Sequence, residues 1–534
     1  MKPIDPTPSD SRRSLDSSNR THDVDAVGVP RDPGVLIAAS DDDASAAVGP
    51  DLSGLAADRE VGSGQRAARN AALTAICELL GKVATLVFTV YIARALGPAD
   101  FGAFSYAVTF GLLLATLPSW GFDLLLLRRA SADTARVGAL LAQTWASRAF
   151  VSVPVLVVGG IIGAASQQTL ATRTTVVLVL LASVLDTMGD AGRAAGAAVE
   201  QAGPVSYSLV VQRVSMTVAA VAVLALGGDL LGVAAAYLVS SLVGQGLTVV
   251  ILRRLGVRPD WHAVNRAALL DIWHGSFYIG VNTLVAMALF RIDAVILHAL
   301  KGDEVLAQYA VSYRLLETVL FLNWAVARAT FPAMSRATGD PRQVLLLVER
   351  GFAAVAAVFI PYGVFLLFEG SEALHLLFGD EYSNSSAVVL RWLAFAPLTF
   401  GLSFLTGYAL LAFDRNRQVL LASALGAAAN ISANLVLIPL LSGVGAALTT
   451  TFSYLLTGIV MLWCIRDGGM LRIDRALHLP VLAVVPMAGM LAVVHLPVLL
   501  EAVLAGIVFV VVYLLLLRWR DPQQMLVVRS LVRR

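Results

Sequence analysis

From Ala71 to Leu517 the chain runs as one apolar segment after another, separated by short polar gaps. Each segment has about the twenty residues that a helix needs to cross a bilayer. Such segments can be placed at 71–93, 101–121, 137–163, 174–198, 205–226 and 229–251, and again at 269–299, 305–333, 344–368, 386–412, 418–440, 443–465, 477–495 and 498–517. Fourteen spanning helices are predicted, with the tightest turns inside 205–251 and 418–465.

The charges in the gaps sort by alternation. One set of gaps holds Arg128, Arg129 and Arg136, then Arg193, then Arg253, Arg254, Arg258 and Arg266, then Arg336 and Arg342. It continues through Arg415, Arg417, Arg466, Arg472 and Arg475 to a tail with Arg518, Arg520, Arg529, Arg533 and Arg534. The alternate set offers Arg94, Arg173 and Lys301 against Asp229, Asp303, Glu304, Glu369, Glu372, Asp380 and Glu381. Positively charged loops stay in the cytoplasm. Both termini are therefore expected inside the cell (plasma, or inner) membrane, which requires an even number of spans.

Composition agrees with that pattern. Hydrophobic residues make up 57% of the chain and charged residues 14%, against about 25% charged in a soluble domain. The net charge is +2, and the basic residues form no stripe, so no nucleic-acid partner is expected. Cys77 and Cys464 lie in apolar segments with no metal-ligand spacing around them. Residues 1–65, rich in Asp, Ser, Pro and Ala, lack the apolar surface to offset ordering. They are expected as a disordered cytoplasmic tail and lack the basic start and apolar core of a signal peptide.

A repeat divides the chain near residue 260. Tyr106-Ala107-Val108 recurs as Tyr309-Ala310-Val311, each following a short outer turn, and Gly232-Val233-Ala234-Ala235 is echoed by Gly443-Val444-Gly445-Ala446-Ala447. The expected fold is all-α and polytopic: two parallel six-helix lobes and two further helices, with a cavity between the lobes as in many secondary transporters. The boundaries are 66–255 for the first lobe, 256–470 for the second, 471–520 for the extra pair and 521–534 for a basic cytoplasmic tail.

The stretch Ala93-Arg94-Ala95-Leu96-Gly97-Pro98-Ala99-Asp100-Phe101-Gly102 resembles the first outer turn of the polysaccharide, or lipid-linked oligosaccharide, flippases. Their superfamily also contains lipid II flippases and multidrug and toxin extruders. Further matches are Phe290-Arg291-Ile292-Asp293, Phe331-Pro332-Ala333-Met334-Ser335, Leu377-Phe378-Gly379-Asp380-Glu381-Tyr382 and Asn430 with Asn434-Leu435-Val436-Leu437-Ile438-Pro439. The resemblance covers roughly 70–517. It implies two lobes around a central cavity, with the first two helices of each lobe lining an opening for a lipid tail. It also implies passage of undecaprenyl-diphosphate-linked sugars to the outer leaflet for O-antigen, capsule or exopolysaccharide assembly.

A charge at the centre of a spanning helix costs at least ~2.5–3.5 kcal/mol, so such residues face a cavity or a partner. Arg291 and Asp293 on the seventh predicted helix and Arg314 and Glu317 on the eighth lie two to three turns inside the turn at Lys301. Guanidinium suits a diphosphate, since it gives bidentate bonds and keeps its charge. The acids would hold the arginines while the cavity is empty; the alternative is a structural network between the two helices. Arg328, deeper on the eighth helix, offers a second station. Arg148 faces the cavity or pairs with an acid on a neighbouring helix. Asp186 belongs to a structural cluster with Asp190 and Arg193, or binds a coupling proton or sodium ion. Glu78 and Lys82, four apart, pair across one turn or serve the cavity. Arg213 is expected to snorkel.

No catalytic centre is expected. Gly81-Lys82 is followed by Val83 inside a helix, so there is no P-loop, and no metalloprotease or nucleophile-elbow motif occurs. Neither cofactor nor metal is called for. The leading expectation is a flippase whose partners are a lipid-linked oligosaccharide, membrane lipids and a polysaccharide polymerase with its export machinery. The alternatives are a cation-coupled multidrug or metabolite exporter of the same fold, which would want acidic and aromatic linings, and a non-transporting scaffold, which has no need of unpaired cavity charge.

Overall fold

The computed structural model describes residues 52–466, 469 and 471–520, with side chains from Asn70 onward apart from those of Ala71, Ala72 and Arg520. The two expected tails, 1–65 and 521–534, lie outside these residues except for the helical backbone that begins at Leu52. Among the described residues every regular element is helical. The helices are α1 (Leu52–Ser119), α2 (Phe122–Ala132), α3 (Val137–Ala165), α4 (Leu170–Ala198), α5 (Ala202–Ala225), α6 (Leu230–Arg254), α7 (Arg266–Lys301) and α8 (Asp303–Arg336). They continue with α9 (Pro341–Phe378), α10 (Asp380–Leu393), α11 (Ala396–Ala412), α12 (Asn416–Leu441), α13 (Gly443–Cys464), α14 (Ile473–Val493) and α15 (Val498–Arg520).

Thirteen of the described helical segments are long and apolar enough to cross a membrane. The first of them, Leu73–Ser119, has 47 residues. A straight helix of that length would measure about 70 Å, more than twice the ~30 Å of hydrocarbon. It is broken at Gly97 (φ 74°, ψ 174°), ahead of Pro98. The rings of Phe88 and Phe104 then meet at 5.7 Å, although they would lie about 24 Å apart along a straight helix. The two arms of α1 fold back on each other and supply two crossings, which restores the predicted fourteen.

Gly97 has counterparts. Gly302 between α7 and α8 (φ 82°, ψ −172°) and Gly379 between α9 and α10 (φ 91°, ψ 179°) adopt the same backbone, a region open essentially only to glycine. Gly97 and Gly302 occupy equivalent places in the two lobes, so the sequence repeat is a repeat of turn geometry. The structure differs from expectation at three places. Arg128 and Arg129 sit on a short helix, α2, rather than in a loop. Glu369 and Glu372 lie within α9, which runs on to Phe378. Asp380 and Glu381 form the first turn of α10, where carboxylates complement the helix dipole.

Packing distinguishes the two ends of the bundle. One large core joins both lobes near the glycine turns, with Phe101, Phe104 and Tyr106 of the first lobe among Leu306, Tyr309 and Tyr382 of the second. At the opposite, arginine-rich end each lobe keeps its own core: Leu126, Leu141, Ala195 and Leu252 in the first, Val348, Phe352, Leu405 and Met461 in the second. There a small cluster of Phe122, Leu125 and Ile272 bridges α2 and α7, beside the ion pair of Arg129 with Asp271 at 2.5 Å. The extra helices α14 and α15 pack on α9 through Ala483, Met487 and Phe509. The lobes thus share one core at the glycine-turn end and keep separate cores toward the arginine-rich end.

Candidate functional site

α7 and α8 form a hairpin through Gly302, and this sets their charged residues at one depth. Arg291 is ten residues before Lys301 and Arg314 eleven after Asp303, so each lies about 15 Å from the turn, half the hydrocarbon thickness. The Glu317 carboxylate bridges the two. One oxygen accepts a bond from Arg291 Nη2, and the other accepts one from Arg314 Nη1 at 2.8 Å. The Arg291 guanidinium also lies 4.5 Å over the Phe290 ring and 5.6 Å over Tyr313, a cation–π seat that orients it. The side chains remain partly accessible, 19% for Arg291, 28% for Arg314 and 16% for Glu317. Groups at mid-span that keep this much exposure border open space rather than a fully packed core.

Two cations of the first lobe face this cluster. Arg213 stands beside Tyr237 and lies near enough to Arg314 for the like charges to repel. Lys82, on the first arm of α1, adds to the field at Glu317 and stands 5.9 Å over the Phe321 ring of α8. Arg213 escaped the sequence reasoning. Arg213 was expected to snorkel from one to two turns in, but α5 begins at Ala202 and sets it about three turns deep. Lys82 was expected either to pair with Glu78 or to serve the cavity, and among the described residues no ion pair joins these two exposed side chains. Counting turns from a better helix start would have found Arg213.

The remaining predicted residues go elsewhere. Asp293, only 2% exposed, does not hold the arginines. It accepts bonds from the hydroxyls of Tyr309 and Thr450 (2.8 Å for Thr450) and from the backbone N–H of Ala294 at 2.7 Å, tying α7 to α8 and α13. Arg148 is fully buried on α3 and bonds Asp123 of α2 at 2.6 Å, the neighbouring-helix pairing that was one of its two expected roles. Asp186 accepts a bond from Gln212 at 2.6 Å and lies beside Arg213, while Asp190 takes Arg193 at 2.5 Å. Arg328 is exposed near the arginine-rich end of α8, 5.5 Å over Trp324.

The glycine-turn end is held by contacts between the lobes. Arg94 Nε donates to the Leu377 carbonyl at 2.8 Å and its Nη2 to that of Leu376 at 2.5 Å, so a cation caps the negative end of α9. Tyr382 donates to the Ala93 carbonyl at 3.1 Å. Gly102 packs so closely on Asp303 that a β-carbon there would overlap the Asp303 carbonyl. His298 at the end of α7 contacts Asp303 at 3.1 Å and Gln167 at 3.0 Å, under the ring of Tyr106.

Comparison with known proteins gives consistent results. Residues 67–338, just over half of the chain, match the family described as polysaccharide biosynthesis protein. The probable flippase AglR of Haloferax volcanii is 26% identical over 199 residues, which cover 36% of this chain and 42% of that protein. An uncharacterized membrane protein of Methanocaldococcus jannaschii is 22% identical over 207 residues, 37% of this chain and 40% of its own. The matched stretch therefore spans less than half the length of either relative. Among solved structures, the lipid II flippase MurJ in an inward closed conformation superposes with a TM-score of 0.66 at 10% identity, covering 84% of this chain and 99% of that one. An inward-facing multidrug resistance transporter of the MATE family gives 0.59 at 14% identity, covering 74% and 95%. These two likenesses establish the fold.

Proposed function

Because the chain belongs to the polysaccharide biosynthesis protein family, we propose that it is a flippase that carries a polyprenyl-diphosphate-linked oligosaccharide across the cell membrane by alternating access. Its termini are cytoplasmic in this reading, and the arginine-rich end, where the lobes keep separate cores, admits cargo from the inner leaflet. The observation that carries the proposal is the mid-span cluster of Arg291 and Arg314 on Glu317, with Lys82 and Arg213 facing it.

The chemistry follows from the charge balance. Cations in this region outnumber the carboxylates, so it favours an anion over the organic cation that an exporter of the same fold would take. Glu317 occupies both arginines while the site is empty. A diphosphate offers more acceptor oxygens than one carboxylate and can take the same two guanidinium forks, and Glu317, released by the exchange, stays in the field of Lys82. The lipid tail stays in the bilayer, beside the exposed apolar face of α1 at Ile76, Leu79, Leu80, Val83 and Val87. Arg328, nearer the entrance, would meet the diphosphate first, and Asp186 beside Arg213 would steady that cation as Glu317 steadies its pair.

The test is to replace Arg291 and Arg314 singly with Ala in a deletion strain, to confirm membrane levels, and to measure surface polysaccharide. Each variant should lose most of its export. Undiminished export from both would sink the diphosphate site.

A further inference from the structure

The two lobes are connected by residues 255–265, which are strapped onto the first lobe. The backbone N–H of Asp260 donates to the Gly138 carbonyl at 3.0 Å, and Gln143 Nε2 donates to that of Ala263, also at 3.0 Å. Val257 is buried, and Trp261 stacks on Trp145 of α3 with ring centroids 6.3 Å apart. Behind the strap lies a cavity of about 150 Å³. Seven of its lining residues are apolar, among them Leu141, Trp145, Val249 and Trp261, and the eighth is Arg253. It takes no part in the site described above.

We propose that this cavity binds one anionic glycerophospholipid, with its phosphate on Arg253 and the first carbons of one acyl chain against the two tryptophans. Three observations point to that ligand class. A cavity of this size holds about six carbons, enough for the start of a chain. Its single cation at the mouth matches a single phosphate, and Arg254, Arg258 and Arg266 stand exposed on the same short stretch against one acid, Asp260. That acid is already engaged, accepting the His262 backbone N–H at 3.0 Å. Finally, the strap lies at a helix end, where tryptophan and arginine meet the headgroup layer. A free phosphate would gain nothing from seven apolar walls.

The test uses the purified full chain and native mass spectrometry with phosphatidylglycerol and phosphatidylcholine. One phosphatidylglycerol should be retained in preference to phosphatidylcholine. Arg253→Gln should weaken it about fivefold, the usual contribution of one surface arginine, and Arg253→Lys should largely keep it. Arg254→Gln, which removes the same charge one residue away from the lining, should change it less than twofold. Melting temperatures without lipid identify any variant that fails to fold, and the preference of the unaltered chain for phosphatidylglycerol over phosphatidylcholine then carries the test. Four outcomes would overturn the proposal: equal retention of both lipids, equal losses in Arg253→Gln and Arg254→Gln, displacement by soluble glycerol phosphate, or displacement by a polyprenyl diphosphate, which would assign the pocket to cargo.

Discussion

Gly102→Ala should drive the lobes apart at the glycine-turn end. The second arm of α1 passes so close to the start of α8 that a β-carbon on Gly102 would lie 2.5 Å from the Asp303 carbonyl carbon and 3.0 Å from its Cα. The obstructing atoms are backbone, so no side-chain rotation relieves the overlap. Ordinary contact begins near 3.4 Å and the Asp303 carbonyl oxygen would lie closer still, so the two elements must separate by more than about 0.9 Å. Where a packed site cannot yield, such overpacking costs about 1–3 kcal/mol. The penalty falls only on the state in which these ends touch, so it shifts the ratio of closed to open molecules by about 5- to 150-fold.

Spin labels at Ala99 and Asn384, exposed on the first arm's turn and on α10, would report the separation once Cys77 and Cys464 are replaced by Ser. The unaltered Gly102 protein should give one short distance, and Gly102→Ala a second, longer population. Gly246→Ala, where a β-carbon meets no atom within 4 Å, should leave the distribution unchanged. Identical distributions and melting temperatures for Gly102→Ala and its parent would refute the reasoning.

Three further outcomes can be checked by thermal melting in detergent. Asp123→Ala strips the fully buried Arg148 of its one bonded partner and should cost about 3–5 kcal/mol, with Arg148→Met in the same background recovering part of the loss. Alanine at Gly97, Gly302 or Gly379 must adopt a backbone that only glycine tolerates and should cost about 1–3 kcal/mol at each position. Tyr309→Phe removes a donor from the buried Asp293 carboxylate and should cost about 1–3 kcal/mol, with Thr450→Val acting on the same oxygen and therefore less than additively.

Most of the fold was legible because a membrane helix must satisfy its backbone within itself, which leaves apolar length as a strong signal. The predicted spans 137–163, 305–333 and 418–440 fall within a few residues of α3, α8 and α12. The resemblance drawn from Ala93–Gly102 is likewise supported by the family match and by the MurJ-like fold. What failed was the reading of polar residues as loop. Glu369 and Asp380 sit on helices that extend beyond the apolar window and Arg128 on a short helix of its own, because a helix end costs nothing extra where its charged residues reach water.

The site was legible only in part, because a charge inside a membrane protein states that it has company without saying which. For Arg291, Arg314 and Glu317 the company is local, on two helices joined by one turn, and position in the chain was enough to group them. For Arg148 the partner is Asp123, hidden in a segment read as a loop, so its burial could not be told from exposure to the cavity. Asp293, two residues from Arg291, turns about 200° around the helix and reaches Thr450 instead, 157 positions away. The physical distinction that matters is between charges whose partners fill them completely and charges held by a partner that a ligand could replace. Arg291 and Arg314, sharing one carboxylate and still partly accessible, are of the second kind, and a cargo that outbids Glu317 needs two negative oxygens set as far apart as its own.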